Sequence, residues 1–144
     1  MRLAAQAPQT PETALKEFMG AVQDSNMTRM MQLWGTEKGS AAKTKQPPDY
    51  QKRVFIMYTY LKGTTYRVSG TQPDTSSTTR RVMLVEFRRN ECKGQSMVRT
   101  VKTKEEGWLV NAIDLAAIGT PGRQCGENAP KDSAAAKSTP TQGR

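Results

Sequence analysis

The sequence predicts a single α+β domain, in which three N-terminal helices pack on a curved four-stranded antiparallel sheet. Apolar residues recur at helical spacing in three segments up to residue 62, and from residue 64 they alternate with a period of two. The length of 144 residues fits one domain. From Gly119 onward the chain is rich in Gly, Pro, Ser, Lys and Ala without apolar periodicity, which is typical of a flexible tail.

The boundaries follow from these patterns. We expect an N-terminal extension at residues 1–9, the α+β domain at residues 10–118 and the tail at residues 119–144. The extension contains Ala5-Gln6-Ala7, which has the small-x-small form of a signal-peptidase site, but its apolar stretch is shorter than the ~7–15 residues of a signal peptide. Residues 1–7 are interpreted either as the remnant of a signal peptide or as an ordinary N-terminus.

Capping residues predict where the three helices begin. Thr10-Pro11-Glu12 opens the first helix, Asn26 caps a short second helix that Gly35 ends, and Asp49 caps a third helix from Tyr50 to Lys62. Residues 35–48 are polar and contain glycine and proline, so we expect a connecting loop, with a binding loop or lid as the alternative. The residues predicted to face the core are Ala14, Leu15, Phe18, Met19, Val22, Met27, Met30, Met31, Leu33, Trp34, Val54, Tyr58 and Leu61, with Phe55 or Met57.

Four strands are predicted at residues 64–70, 78–89, 95–104 and 108–115. The second strand has Val82 and Leu84 on one face and Met83, Val85 and Phe87 on the other. Because both faces are apolar, we expect helices to cover one side of the sheet and a second copy of the chain to cover part of the other. If the last hairpin turns on Glu106-Gly107, Arg99 and Asp114 are cross-strand partners.

Composition excludes several chemistries. The chain has no histidine and two cysteines, which excludes Ser-His-Asp and Cys-His nucleophiles, histidine zinc sites and a four-cysteine zinc site. We therefore expect no metal and no cofactor. No segment approaches the ~20 apolar residues of a membrane span. The net charge of +9 is spread over the chain, which favours anionic surfaces in general or serves solubility alone. Nucleic acid is not expected, because few aromatic residues lie among the strand arginines.

The two cysteines predict a disulfide bond. Cys92 lies in a turn between two strands, and Cys125 follows the last strand by about ten residues, at the same end of an antiparallel meander. A Cys92–Cys125 bond would close a loop of roughly 33 residues and stabilise the fold by about 3–4 kcal/mol. Such bonds persist in oxidising compartments, so we expect a periplasmic or extracellular protein. Two unrelated free thiols are the alternative.

The element order and several local sequences resemble a known group. Residues 13–18 and 26–34 resemble the two opening helices of the cone-shaped nuclear transport factor two-like fold, also called cystatin-like or SnoaL-like. Residues 106–110 and 113–115 resemble its closing hairpin and last strand. The resemblance is to small exported bacterial members of unassigned function. It implies an apolar pocket between the helices and the sheet, in which enzymes of the group hold an acidic base and a tyrosine or protonated-acid donor.

The resemblance leaves three functions open, because this fold supports enzymes and binding proteins alike. The first is a non-catalytic exported domain that binds a small apolar ligand or a protein partner. The second is a SnoaL-like isomerase, cyclase or dehydratase, and the third is a basic module that binds an anionic polymer. The catalytic candidates would be Asp114, Glu86 and Tyr58, although an Asp114 paired with Arg99 suits a structural ion pair better than a base. The pocket candidates are Trp34, Tyr58, Phe87 and Arg99, with core packing as the alternative for the aromatic residues.

Overall fold

The computed structural model describes residues 7–73, 78–89 and 92–119, and in this part of the chain helices precede the main sheet. The first two helices begin as predicted, because Thr10 Oγ1 accepts a hydrogen bond from Thr13 N and Asn26 Oδ1 accepts one from Arg29 N, both at 3.0 Å. The helices are α1 (Pro11–Gln23), α2 (Met27–Leu33), α3 (Ala41–Thr44) and α4 (Tyr50–Leu61).

The sequence predicted that the side chain of Asp49 caps the third helix, and this prediction is wrong. Asp49 stands at the N-cap position of α4 but makes no capping hydrogen bond. Its carboxylate instead accepts a hydrogen bond from Arg53 Nε at 2.8 Å. The side chain of Asp49 is thus held on the surface of the helix by an ion pair rather than turned toward the helix N–H groups.

The predicted loop at residues 35–48 contains regular structure. Two short strands pair here, β1 (Gly35–Thr36) and β2 (Gly39–Ser40), and α3 follows at once because Ser40 Oγ accepts a hydrogen bond from Lys43 N at 3.2 Å. A Cβ atom on Gly35 would lie 2.3 Å from Gly39 O, so this tight hairpin requires glycine there. The sequence prediction of a plain connector was wrong, because strands of two residues carry no periodic signal.

The main sheet confirms the predicted antiparallel meander of four strands. Its order is β3-β4-β5-β6, so that β3 and β6 are the edge strands. A short 3₁₀ turn, Leu115–Ala117, replaces the predicted end of the last strand. The strands are β3 (Thr65–Pro73), β4 (Arg80–Arg89), β5 (Cys92–Lys102) and β6 (Trp108–Ile113).

The predicted pairing of Arg99 with Asp114 is wrong. The β5–β6 connection is a loop from residue 103 to residue 107, in which Thr103 N donates to Gly107 O at 2.8 Å and Gly107 has a φ of +71°. A bulge between Arg99 and Thr100 then shifts the register by one residue. Arg99 therefore lies opposite Ala112. Arg99 and Asp114 could lie opposite each other only if β5 and β6 were joined by a two-residue turn at Glu106-Gly107.

One face of the sheet, the inner face, packs on the helices. Met83, Val85 and Phe87 are at most 1% exposed, whereas Val82 and Leu84 on the outer face are half-buried, as the alternation predicted. In α4 the buried residues are Val54, Met57 and Leu61, at i, i+3 and i+7. The other core residues include Leu15, Phe18, Met19, Val22, Met30, Leu33, Trp34, Val98 and Val110.

Within the described residues, no helix has both the length and the apolar character needed to cross a membrane. The described elements, from α1 to the 3₁₀ turn, all fall between residues 10 and 118. The tail predicted for residues 119–144 lies outside the described residues except for Gly119. Its flexibility stays a prediction, as does the signal-peptide interpretation of residues 1–7.

Candidate functional site

The space between the helices and the inner face of the sheet is filled by side chains. Phe87 is 1% exposed and its ring lies 6.5 Å from that of Tyr66. Phe18, Met30 and Leu33 approach the same face from the helices and are likewise at most 1% exposed. Phe87, a predicted pocket candidate, is thus packed as a core residue.

The three predicted catalytic residues lie apart. Asp114 is exposed, and its backbone N–H donates to Met97 O at 3.1 Å at the end of the ladder. Glu86 lies on the outer face of β4, between the inward residues Val85 and Phe87. Tyr58 is on α4, where its hydroxyl shares a hydrogen bond of 2.9 Å with Ser25 Oγ. The structure therefore does not bring an acid and the tyrosine into one cleft.

Glu86 has the electrostatics of a structural ion pair. Its carboxylate accepts a hydrogen bond from Arg67 Nη2 at 3.0 Å, and Lys93 Nζ lies 4.0 Å away. The hydrogen bond from Arg67 holds the pKa of the Glu86 carboxyl below its ordinary value, against a smaller opposing effect of desolvation. Glu86 is therefore ionised at neutral pH, and its lowered pKa makes this carboxylate a weaker general base than an ordinary glutamate.

Two clefts, of about 470 and 380 Å³, lie beside the 103–107 loop. Every acidic side chain that lines them already accepts a hydrogen bond. Glu105 Oε1 accepts from Lys43 Nζ at 2.6 Å, Glu106 accepts from Ser40, and Glu37 Oε1 accepts from Arg80 Nη2 at 2.5 Å. The acids of these two clefts hold the β1–β2 hairpin and α3 against the 103–107 loop and β4.

A smaller cleft of about 270 Å³, the α4–β6 cleft, separates α4 from the edge strand β6 and has a more apolar lining. Ile56 is 39% exposed at its rim, whereas Trp34 is only 8% exposed. Trp34 is fixed because its Nε1 donates to Asn111 O at 3.0 Å, and Asn111 Nδ2 in turn donates to Gly35 O at 2.8 Å. The lining residues are Trp34, Arg53, Ile56, Met57, Asn111, Ala112, Ile113 and Leu115.

The backbone of β6 is open toward this cleft at Ile113. The hydrogen bond from Asp114 N to Met97 O makes these two residues a hydrogen-bonded pair of the antiparallel ladder. Such pairs alternate with non-hydrogen-bonded ones, so Ile113, opposite Val98, directs its N–H and C=O away from β5. Asn111 O, two residues earlier, points the same way toward Trp34. The edge of β6 therefore offers peptide groups as well as side chains.

Of the four predicted pocket residues, only Trp34 lines the α4–β6 cleft. Phe87 is in the core, Tyr58 is on α4 but hydrogen-bonds to Ser25 outside the cleft, and Arg99 is exposed on the outer face of β5. Sequence reasoning missed Arg53, Ile56 and Asn111. One signal was present: residues 54–57 form an apolar run, Val-Phe-Ile-Met, which is wider than the single stripe that a helix needs for its core.

The outer face of the sheet carries an apolar strip, formed by Val82, Leu84, Met97 and Ala112. Met97 is 42% exposed, and it lies directly opposite Leu84 in the register. The strip has cationic neighbours on the same face, and its own four residues are half-buried or exposed, whereas Met83, Val85 and Phe87 on the inner face of β4 are fully buried. The cationic neighbours are Arg67, Arg88, Lys93 and Arg99.

No protein-family model and no curated protein matches the chain. Several solved structures match it, and two of them can be described. One is a domain of unknown function with a cystatin-like fold from Nostoc punctiforme, with a TM-score of 0.44 and 13% identity over 69% of this chain and 70% of that one. The other is an NTF2-like protein of unknown function from Cytophaga hutchinsonii, with a TM-score of 0.43 and 11% identity over 79% of this chain and 95% of that one.

Proposed function

We propose that the chain is a non-catalytic domain that binds a small apolar ligand in the α4–β6 cleft. The observation that carries the proposal is the apolar lining of this cleft, where Ile56 is left 39% exposed beside the well-fixed Trp34. No acidic residue is among the eight that line the cleft, so it lacks the general base that a SnoaL-like enzyme would need. The acids nominated from the sequence, Asp114 and Glu86, lie outside it.

Ligand binding is expected to change the fluorescence of Trp34. In a Trp108→Phe variant, Trp34 is the only tryptophan, and 1-octanol is a suitable uncharged probe. We expect saturable binding with a dissociation constant on the order of 1 mM, as suits a ligand of about nine non-hydrogen atoms. Ile56→Asp should weaken binding by roughly tenfold or more, because it places a charge at an apolar rim.

Phe55→Asp is the matched control for this experiment. Phe55 is the neighbouring residue on α4 and is 57% exposed, but it does not line the cleft. The same charge at position 55 should therefore leave octanol binding unchanged. Equal affinities in the Ile56→Asp and Phe55→Asp variants would contradict the proposed site. Calorimetry on the wild-type chain provides a second measurement that does not depend on the Trp108 substitution.

A second copy of the chain is the partner that the outer face favours. Within the described residues, no ion pair within 4.0 Å involves Arg99 or Asp114, and both lie beside the exposed Met97. In a two-fold contact centred near Met97, each Arg99 can meet the Asp114 of the other copy. The cations around the strip would equally suit the anionic polymer considered above, and retention on heparin above moderate salt would favour that alternative.

Sedimentation equilibrium tests the homodimer. The wild-type chain is expected to have the mass of two copies, and Met97→Glu is expected to have the mass of one, because the substitution would bury a charge in the contact. Gln51→Glu adds the same charge on the exposed side of α4 and should leave the mass unchanged. A monomeric wild-type chain at high concentration would exclude this partner.

We also propose that the chain works in an oxidising compartment with Cys92 bonded to Cys125. Cys125 lies outside the described residues, but Gly119 approaches the Cys92 end of the sheet. Arg89 lies opposite Cys92 in the ladder, and its Nη2 donates to Gly119 O at 3.0 Å. The six residues from Gly119 to Cys125 can span up to about 20 Å. This reach supports the bond.

Thiol titration of denatured, unreduced protein is expected to find no reactive thiol, and two would contradict the bond. Reduction should lower the free energy of unfolding by about 3–4 kcal/mol, as expected for a loop of this length. In Cys92→Ser, reduction should have no effect on stability, which separates loss of the bond from other effects of the reductant.

A further inference from the structure

The polar rim of the α4–β6 cleft indicates the charge of its ligand. Of the eight lining residues, Arg53 is the one cation and none is an anion. Asp49 accepts a hydrogen bond from Arg53 Nε alone, at 2.8 Å. Among the described residues, the two terminal nitrogens of the guanidinium group have no hydrogen-bond partner. The fork of Arg53 is therefore available to a planar anion.

Further donors lie on the opposite wall of the cleft. Ile113 directs its peptide N–H away from β5, as the ladder pattern requires. Asn111 uses one amide N–H for Gly35 O, at 2.8 Å, and keeps a second. The cleft thus combines an apolar floor with donors on both walls, which is the arrangement that accommodates an amphipathic molecule with an anionic head.

We propose that the α4–β6 cleft binds a small amphipathic carboxylate, with its apolar chain against Trp34 and Ile56 and its carboxylate on Arg53. This inference rests on the proposed function, because it names the ligand class of the same cleft. The volume of about 270 Å³ lies just below the usual range of roughly 300–1,000 Å³ for ligand sites. A chain of roughly eight carbons suits it, so octanoate is the probe. A planar carboxylate matches the guanidinium fork in shape as well as in charge.

The test compares three probes that share one chain and differ in the head group. Octanoate, 1-octanol and octylammonium are titrated into the full chain at neutral pH, with Trp34 fluorescence in Trp108→Phe and calorimetry on the wild type as readouts. Octanoate is expected to bind roughly tenfold more tightly than octanol, and octylammonium more weakly than either, because of the Arg53 charge.

Arg53→Met isolates the head-group contact. This exposed substitution should weaken octanoate binding by roughly tenfold and octanol binding by much less, because octanol has no charge for Arg53 to pair with. Lys52→Met removes the same charge from the neighbouring exposed position, which does not line the cleft, and should change neither affinity. This control separates a contact with Arg53 from the general positive field of the chain.

Three outcomes would contradict this inference, and they differ in what they leave of the function on which it rests. If octanol binds as tightly as octanoate and Arg53→Met changes neither, the carboxylate class is wrong, but the cleft still binds apolar ligands. If none of the three probes binds, the proposed function fails together with the inference. If Lys52→Met weakens octanoate as much as Arg53→Met does, the preference comes from net charge and the assigned contact is wrong.

Discussion

Phe87→Ala is expected to lower the free energy of unfolding by about 3–5 kcal/mol, as for other large aromatic residues removed from a packed core. Phe87 is 1% exposed on the inner face of β4, with its ring 6.5 Å from that of Tyr66. Removing the ring leaves a cavity that its buried neighbours, Met83 and Val85 on the same strand and the helices above, cannot fill without moving. Urea denaturation monitored by circular dichroism measures the change.

Phe55→Ala is the matched control, because it removes the same side chain from a position that is 57% exposed. It should change the free energy of unfolding by less than about 1 kcal/mol. A loss below about 1 kcal/mol at Phe87 would instead indicate an open pocket at the inner face, where a ligand rather than the core would contact the ring. The comparison therefore decides between the two interpretations that the sequence left open for this residue.

Glu106→Ala is expected to destabilise the chain by about 2–3 kcal/mol, because the carboxylate of Glu106 holds the β2–α3 junction against the 103–107 loop. Its Oε1 accepts from Ser40 N at 2.8 Å and its Oε2 accepts from Ser40 Oγ at 2.9 Å. Ser40 is 1% exposed, so water cannot replace the lost acceptor at its N–H. Thermal and urea unfolding should both show the loss.

Glu105→Ala is the control at the adjacent position. Glu105 also accepts a hydrogen bond, from Lys43 Nζ at 2.6 Å, but the two side chains are 74% and 52% exposed. The pair lowers the pKa of Glu105 and raises that of Lys43, and salt screens such a surface pair. Little or no change in stability is therefore expected for Glu105→Ala. Equal losses for the two variants would show that Glu106 is not the residue that fixes the junction.

The fold was largely predictable because its signals are local. Thr10 and Asn26 cap helices where the sequence placed them, and the alternation of Met83, Val85 and Phe87 identified the buried face of β4. The register was not predictable. Whether Arg99 meets Asp114 or Ala112 depends on a loop of five residues and a bulge, and neither has a distinct sequence signature.

The candidate site was predictable only in part, because it joins segments that are distant in the chain. Trp34, Arg53 and Asn111 come from three separate segments of the chain, and their proximity depends on how α4 packs beside the edge of β6. Glu106 was predicted as a turn residue, and nothing in the sequence indicates that Ser40, 66 positions earlier, is its hydrogen-bond partner. A contact between side chains that are far apart in the chain produces no periodic pattern in the sequence.

By itself, the sequence determined the class of the fold, the caps of α1 and α2, the four strands of the main sheet and the exclusion of histidine chemistry. Periodicity, caps and composition are properties of short segments, and each short segment carries them whatever surrounds it. Only the tertiary structure decided that the inner face is filled, that Glu86 and Asp114 lie away from any shared cleft, and that an apolar cleft with one arginine opens at β6. Those outcomes depend on packing and register, which are set by contacts between elements rather than within them.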